Sequence, residues 1–181
     1  FHGHYSPFPG ADVIVRAASL MAAEPVRFTL IGRGQEHPRV AALARELKLA
    51  NVEFVGDVDY PTLRGYLERD DLSLGVFGAG DRPVIPHKVV EAMAVGKPVL
   101  TARLPGMGEL LADRQQVAFC RANDPQDLAE AIRRLRADAP LRQRLGEQGR
   151  RLVAERLVPA AIGRTLLAAL WEHGVASARM L

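Results

Sequence analysis

The chain has 181 residues, 48% of them hydrophobic and 25% charged, which is enough apolar material for one packed domain and ordinary for a soluble globular protein. No apolar run approaches the ~20 residues that span a bilayer, and no charged start, apolar centre and small-residue cleavage site marks a secretion signal. A net charge of +3 is too small to argue for a nucleic-acid partner.

The first residues, Phe1-His2-Gly3-His4-Tyr5, read as a strand already under way, so the chain is expected to be a piece of a longer protein. Gly10 to Ala23 carries Val13, Ala17, Leu20 and Met21 at the spacing of an amphipathic helix. Val26 to Ile31 is an apolar strand ending in Gly32-Arg33-Gly34. A helix from Pro38 to Leu49 follows, with proline in its first turn, where a missing N–H costs nothing. Val52 to Val55 is a strand closed by Gly56, Pro61 to Arg69 a short helix, and Leu72 to Phe77 a strand leading into a glycine-rich loop. Pro86 to Val95 is helical, Val99 to Ala102 a strand, Met107 to Leu111 a brief helix and Val117 to Cys120 the last strand.

Short apolar strands alternating with helices predict βαβ units and a parallel sheet with helices on both faces, a Rossmann-like α/β fold. After Asp124-Pro125 the pattern is helix only. Leu128, Ala131, Ile132 and Leu135 form one stripe, Leu141, Leu145, Leu152 and Val153 another, and Ile162, Leu166, Ala169 and Leu170 a third beside Trp171. The domain is therefore expected over residues 1–157, with 158–181 a C-terminal helix continuing the same unit. Cys120, the single cysteine, excludes an internal disulfide, fits a reducing cytoplasm, and is read as a buried, inert strand residue.

Ligands of open α/β sheets sit outside the carboxyl ends of the strands, where loops lead into helix N-termini. Three loops have that position: Gly32-Arg33-Gly34, Gly56-Asp57-Val58, and Phe77 through Pro86. The last enters the helix bearing Lys88 and Glu91, three residues apart and thus on one face. A helix N-terminus with a lysine in its first turn suits a phosphate, and a carboxylate one turn on suits sugar hydroxyls. The same spacing also fits a plain surface ion pair. Arg33 and Arg82 are candidates to grip phosphate with two hydrogen bonds, and Arg103 is a weaker one. Gly32-Arg33-Gly34 lacks the third glycine of a dinucleotide fingerprint, which argues against NAD. His2 and His4 alternate along one strand, but no third ligand accompanies them, and no metal or other cofactor is expected.

The run Ile85-Pro86-His87-Lys88-Val89-Val90-Glu91-Ala92-Met93-Ala94-Val95-Gly96-Lys97-Pro98-Val99 resembles the donor-site segment of GT-B glycosyltransferases of the family 4 type, the glycosyl transferases group 1. Other pieces follow in the family's order: Gly10 opening the first helix, Leu30 to Gly34, Val52 to Gly56, and Asp71-Leu72 before the donor loop. The resemblance covers roughly Phe1 to Leu157 and implies the C-terminal, donor-binding half of a two-domain enzyme. It implies a retaining transfer of sugar from a nucleoside-diphosphate donor, UDP- or GDP-linked, to a glycan or lipid-linked acceptor, as in polysaccharide biosynthesis.

Carried over by position, Lys88 and the loop after Gly32, with Arg33 and Gly34, would meet the donor diphosphate, Glu91 the ribose, and Asp57 and Val58 the base. His87, beside Lys88, is read as a helix-cap or surface residue, with contact to the diphosphate as the second reading. Asp81 and Arg82 are the candidates to touch the sugar. The family's second glutamate falls at Pro83, and its lysine before the first helix at Pro9. These departures bear on sugar identity and turnover more than on nucleotide binding. Two alternatives stay open: half of a nucleotide-sugar 2-epimerase, and a degenerate nucleotide-binding or docking domain. The resemblance further implies an absent N-terminal acceptor domain, a cytoplasmic location, and little turnover by this chain alone. The arginines of the tail are read as a solvated helix face, with peripheral contact to anionic lipid at the inner membrane surface as the second reading.

Overall fold

The computed structural model describes residues 1–8, 10–78, 80 and 85–172. Seven α-helices and five strands occur among them, every strand pair is parallel, and helices flank the strands. Helix α1 (Ala11–Leu20) is followed by β1 (Phe28–Ile31), α2 (His37–Glu46), β2 (Val52–Val55), α3 (Tyr60–Arg69), β3 (Ser73–Leu74), α4 (His87–Ala94), β4 (Val99–Ala102) and β5 (Ala118–Cys120). Three C-terminal helices complete the order: α5 (Pro125–Ala137), α6 (Ala139–Leu152) and α7 (Pro159–Glu172), with a π-helical turn at Val153–Leu157 between the last two.

Strand β1 pairs with β2, and β4 lies between β3 and β5. One hydrophobic core spans both groups, with Phe1, Leu30, Leu74, Val76, Leu100 and Cys120 buried together. All four residues of β4 are buried, as a strand covered on both faces requires. Phe1 to Tyr5 runs along β1 on the side away from β2, with His2 bridging Ile31 in parallel. Backbone bonds Gly3 N–H to Ile31 O (3.0 Å) and Tyr5 N–H to Arg33 O (2.8 Å) carry the pairing forward. A full strand was expected there; Gly3, at φ 127°, breaks the extended geometry and leaves a single bridge.

The strand expected over Leu72 to Phe77 is also shorter, covering Ser73–Leu74. Thr101 is the reason. Its buried Oγ1 accepts from Val76 N–H and donates to Val76 O, both at 3.1 Å, so a side chain satisfies the Val76 N–H, while Val76 O also takes Ala102 N–H at 2.8 Å. At the opposite edge, Val26 N–H turns back to Glu24 O (2.8 Å), so β1 starts at Phe28 and not at Val26.

Of the C-terminal helices, α5 packs on α1 and β5, and α6 packs on α4. Their starts are capped by Asp124 Oδ1 on Asp127 N–H and Asp138 Oδ1 on Leu141 N–H, each at 2.9 Å. A small second core holds Val89, Ala92 and Met93 of α4 against Val99, Leu111, Val117 and Val153. Helix α6 reaches α4 through glycine: a Cβ on Gly146 would lie 2.2 Å from Gly96 O. The stripes of α5 and α6 expected from the sequence are buried at Leu128, Ala131, Ile132, Leu135, Leu141 and Leu145. The stripe of α7 is not: that helix buries Ala161 and leaves Ile162, Leu166, Leu167 and Trp171 exposed.

Gly146→Ala is expected to destabilise the chain by about 1–3 kcal/mol, the cost of forcing a methyl into a filled contact. Gly163→Ala, which meets open space in α7, should instead stabilise by up to about 1 kcal/mol through helix propensity. Urea unfolding of both variants checks the opposite signs.

Candidate functional site

A cleft of about 510 Å³ opens where the strands end. The N-terminal segment contributes His2, Gly3 and His4, the end of β1 contributes Ile31, Gly32 and Arg33, and the β2–α3 connection contributes Asp57, Val58 and Tyr60. Leu63 of α3 and Glu91 of α4 complete the wall. The floor is backbone against backbone. Gly32 sits at φ 121°, and a Cβ there would stand 2.2 Å from Gly3 O, so no larger residue fits.

Glu91 is held from below. His2, 4% exposed, places Nε2 2.9 Å from Glu91 Oε2. This hydrogen bond, with the nearby side chains of His2, His87 and Lys88, outweighs partial burial and keeps the Glu91 carboxyl below the usual carboxylate range. An ionised carboxylate only accepts, so Nε2 carries the proton. Oε1 takes no protein hydrogen bond among the described residues.

Lys88 takes the other direction. Its Nζ is buried with no hydrogen-bond partner among the described residues, 3.7 Å from the centroid of the Phe1 ring and beneath Gly3. The surface pair with Glu91 does not form among the ion pairs of the described residues. Burial pushes the ammonium down to about 7, and the charge of Glu91 only partly opposes this. The aromatic face supplies the attraction that a carboxylate would otherwise provide. Helix α4 itself starts at His87 with Pro86 as its cap residue and no side-chain cap, so its first N–H groups are available to an anion.

Of the residues expected at a ligand, the structure brings Glu91, Arg33, Asp57 and Val58 to one cleft. Arg33 and Asp57 are mostly exposed and 3.5 Å apart, a weak pair that a ligand can part easily. Lys88 and the exposed His87 lie at the edge and do not line the cleft. Gly34 serves packing, since a Cβ there would meet the Tyr5 backbone at 2.5 Å. Asp81 and Arg82, with Pro83, lie outside the described residues, as does Pro9.

Among the lining residues that escaped the sequence reading are Tyr60, Leu63 and His2. Tyr60, 76% exposed at the start of α3, and Leu63 follow directly on the Asp57-Val58 loop, which was the available signal. His2 gave none beyond its place on a strand. Arg103 stacks on the Phe119 ring at 4.4 Å and faces Asp113 at 3.5 Å, away from this cleft. Lys97 donates to the carbonyls of Glu68 (2.7 Å) and Asp70 (3.0 Å), closing the end of α3. Cys120 is buried, with its thiol pushed up to about 12. Among the described residues, no cluster of three or more His, Cys, Asp or Glu is arranged for a metal, and no helix is long and apolar enough to cross a membrane. A second hollow of similar size lies at the amino ends of the strands, around Phe28, Asp70 and Asp71, remote from Glu91.

A parallel α/β domain with its cleft at the carboxyl ends of the strands is a Rossmann-like ligand-binding domain. The family model "Glycosyl transferases group 1" matches residues 1–152, and the chain belongs to that family. It is 26% identical over 157 residues to the uncharacterized glycosyltransferase MJ1178 of Methanocaldococcus jannaschii, covering 83% of this chain and 41% of that protein. It is 32% identical over 154 residues to D-inositol 3-phosphate glycosyltransferase 2 of Catenulispora acidiphila, covering 78% of this chain and 35% of that protein. The chain thus spans about two fifths of the length of these curated relatives. In fold it matches Anabaena Alr3699/HepE, crystallised with UDP, at TM-score 0.79 and 22% identity, covering 94% of this chain and 48% of HepE. The fold is that of a GT-B glycosyltransferase domain.

The burial of Lys88 makes stability depend on pH. Its folded value, about 7, lies below the ordinary 10.5, so between these values the unfolded chain binds more protons. The destabilisation is therefore complete below pH 7 and fades as pH rises toward 10.5. Lys88→Met should gain more stability over the parent at pH 6.5 than at pH 9.5 in urea melts.

Proposed function

We propose that this chain is the donor-binding half of a retaining hexosyltransferase and binds a nucleoside-diphosphate sugar, UDP- or GDP-linked, in the cleft beside α4. The observation that carries this reading is an ionised Glu91 at the wall of a strand-end cleft, next to an uncapped helix N-terminus. Family membership and the UDP bound to HepE support it. Glu91 accepts from the ribose hydroxyls, the connection at Asp57 and Val58 lies along the base, and Arg33 reaches the phosphates from the rim. Lys88 moves off the Phe1 ring to the diphosphate, whose charge restores its proton, and His87 assists from the first turn of α4.

Catalysis in this reading is positioning and electrostatic stabilisation of the departing diphosphate, without a required metal. The acceptor, a glycan or a lipid-linked sugar, is held by an N-terminal domain outside this chain. The work takes place in the cytoplasm, with the acceptor presented at the inner membrane surface. The 181-residue chain alone is expected to transfer little or no sugar.

Calorimetric titration with UDP, GDP and ADP tests the proposal. One nucleotide should bind, and a purely docking domain would bind none. Lys88→Ala should weaken that binding by roughly 1.5–3 kcal/mol, the range for a charge-assisted hydrogen bond. Unchanged affinity would remove Lys88 from the site.

A further inference from the structure

His2 is an unusual residue for its place. It lies on the innermost part of the N-terminal segment, bridged to Ile31 of β1, and is 4% exposed. A buried imidazole needs a partner, and the one it has is the cleft carboxylate, 89 residues away in the chain. The carboxylate end of a glutamate is loosely held when it stands alone, because several bonds separate it from the backbone. Here one oxygen is anchored at 2.9 Å to a ring that packing holds still. The other oxygen takes no protein hydrogen bond among the described residues, and the residue lines the cleft.

We propose that His2 is a positioning residue for Glu91: its Nε2–H fixes Oε2, so that the carboxylate is presented ready-oriented to the two ribose hydroxyls of a bound nucleoside diphosphate. This rests on the reading of Glu91 as the ribose acceptor. The arrangement follows the way a metal-binding histidine is fixed by a partner behind it, with the roles exchanged: the buried histidine is the support and the carboxylate meets the ligand. A free carboxylate would give up its side-chain freedom on binding, whereas an anchored one has already done so. His2 thereby sets how strongly the site distinguishes a nucleotide with ribose hydroxyls from one without them. The phosphate contacts are independent of it.

The test is calorimetric titration of the 181-residue chain with UDP and with 2′,3′-dideoxy-UDP. The parent chain should favour UDP. His2→Phe, which fills the buried space without a donor, should reduce that preference by about 5- to 20-fold, the scale of one hydrogen bond's contribution. Its affinity for the dideoxy compound should stay within about twofold of the parent, since a loss confined to the hydroxyl-bearing ligand is what positioning predicts. His2→Gln, which can donate from its amide at similar reach, should keep the parent preference. His2→Asn, too short to reach, should lose it and serves where the phenylalanine variant does not fold.

Equal weakening of both ligands in His2→Phe and His2→Asn would make His2 a structural residue only and overturn the proposal. So would an unchanged preference in those variants. A parent chain that binds UDP without preferring it over the dideoxy compound would overturn the ribose role of Glu91, and that of His2 with it. A parent chain that binds neither compound would overturn the UDP reading itself together with this proposal.

Discussion

The close parallel approach of the first five residues to β1 is the constraint on which the site depends. Backbone bonds from Gly3 and Tyr5 to Ile31 and Arg33 leave no space for side chains between the two segments, and Gly32 is the residue that permits it. Three things follow from that contact. The cleft floor is made of peptide groups, so a ligand can approach the main chain closely. The ring of Phe1 is held where Lys88 can cover it. His2 is carried into the interior, where it meets Glu91 of α4. Anything that loosens this seam would disturb the cation and the carboxylate together.

Helix α4 then shows how one short element creates two opposite electrostatic settings. Lys88 and Glu91 stand three residues apart and feel each other's charge, yet among the described residues they form no direct ion pair. The carboxylate is stabilised as an ion by a hydrogen bond, while the ammonium is destabilised by loss of water, which the charge of Glu91 and the face of the Phe1 ring offset only in part. The negative charge is thus settled in the resting protein and the positive one is not. The helix is kept from shifting under these opposed demands by its contact with α6, where Gly146 meets the carbonyl of Gly96 directly.

Much of this architecture was legible in the amino-acid order. Alternating apolar runs and amphipathic stretches announced a parallel α/β domain, and the run around Lys88 and Glu91 pointed to the group 1 glycosyl transferases, to which the chain belongs. The loops at Arg33 and at Asp57-Val58 were expected beside Glu91 and line the same cleft. What could not be read was pairing across the fold. The spacing of Lys88 and Glu91 describes a shared helix face but not which neighbours lie over it, and those neighbours, Phe1 and His2, come from the far end of the chain. The early stop of β3 was equally hidden, because the competitor for its backbone is a threonine hydroxyl that no strand propensity records. Tyr60 was within reach of sequence reasoning, since the loop before it had already been placed at the ligand.

Helix α7 has a practical consequence of a different kind. Ile162, Leu166, Leu167 and Trp171 offer exposed apolar surface along one helix of a chain that has a well-buried core. Dyes that fluoresce on apolar surfaces will bind there in the native state, and their signal is customarily taken as a sign of a loosened, molten interior. For this protein that inference fails. Emission from the dye would describe the exterior of its last helix, and the state of the core has to be judged from probes placed inside it, such as the thiol of Cys120.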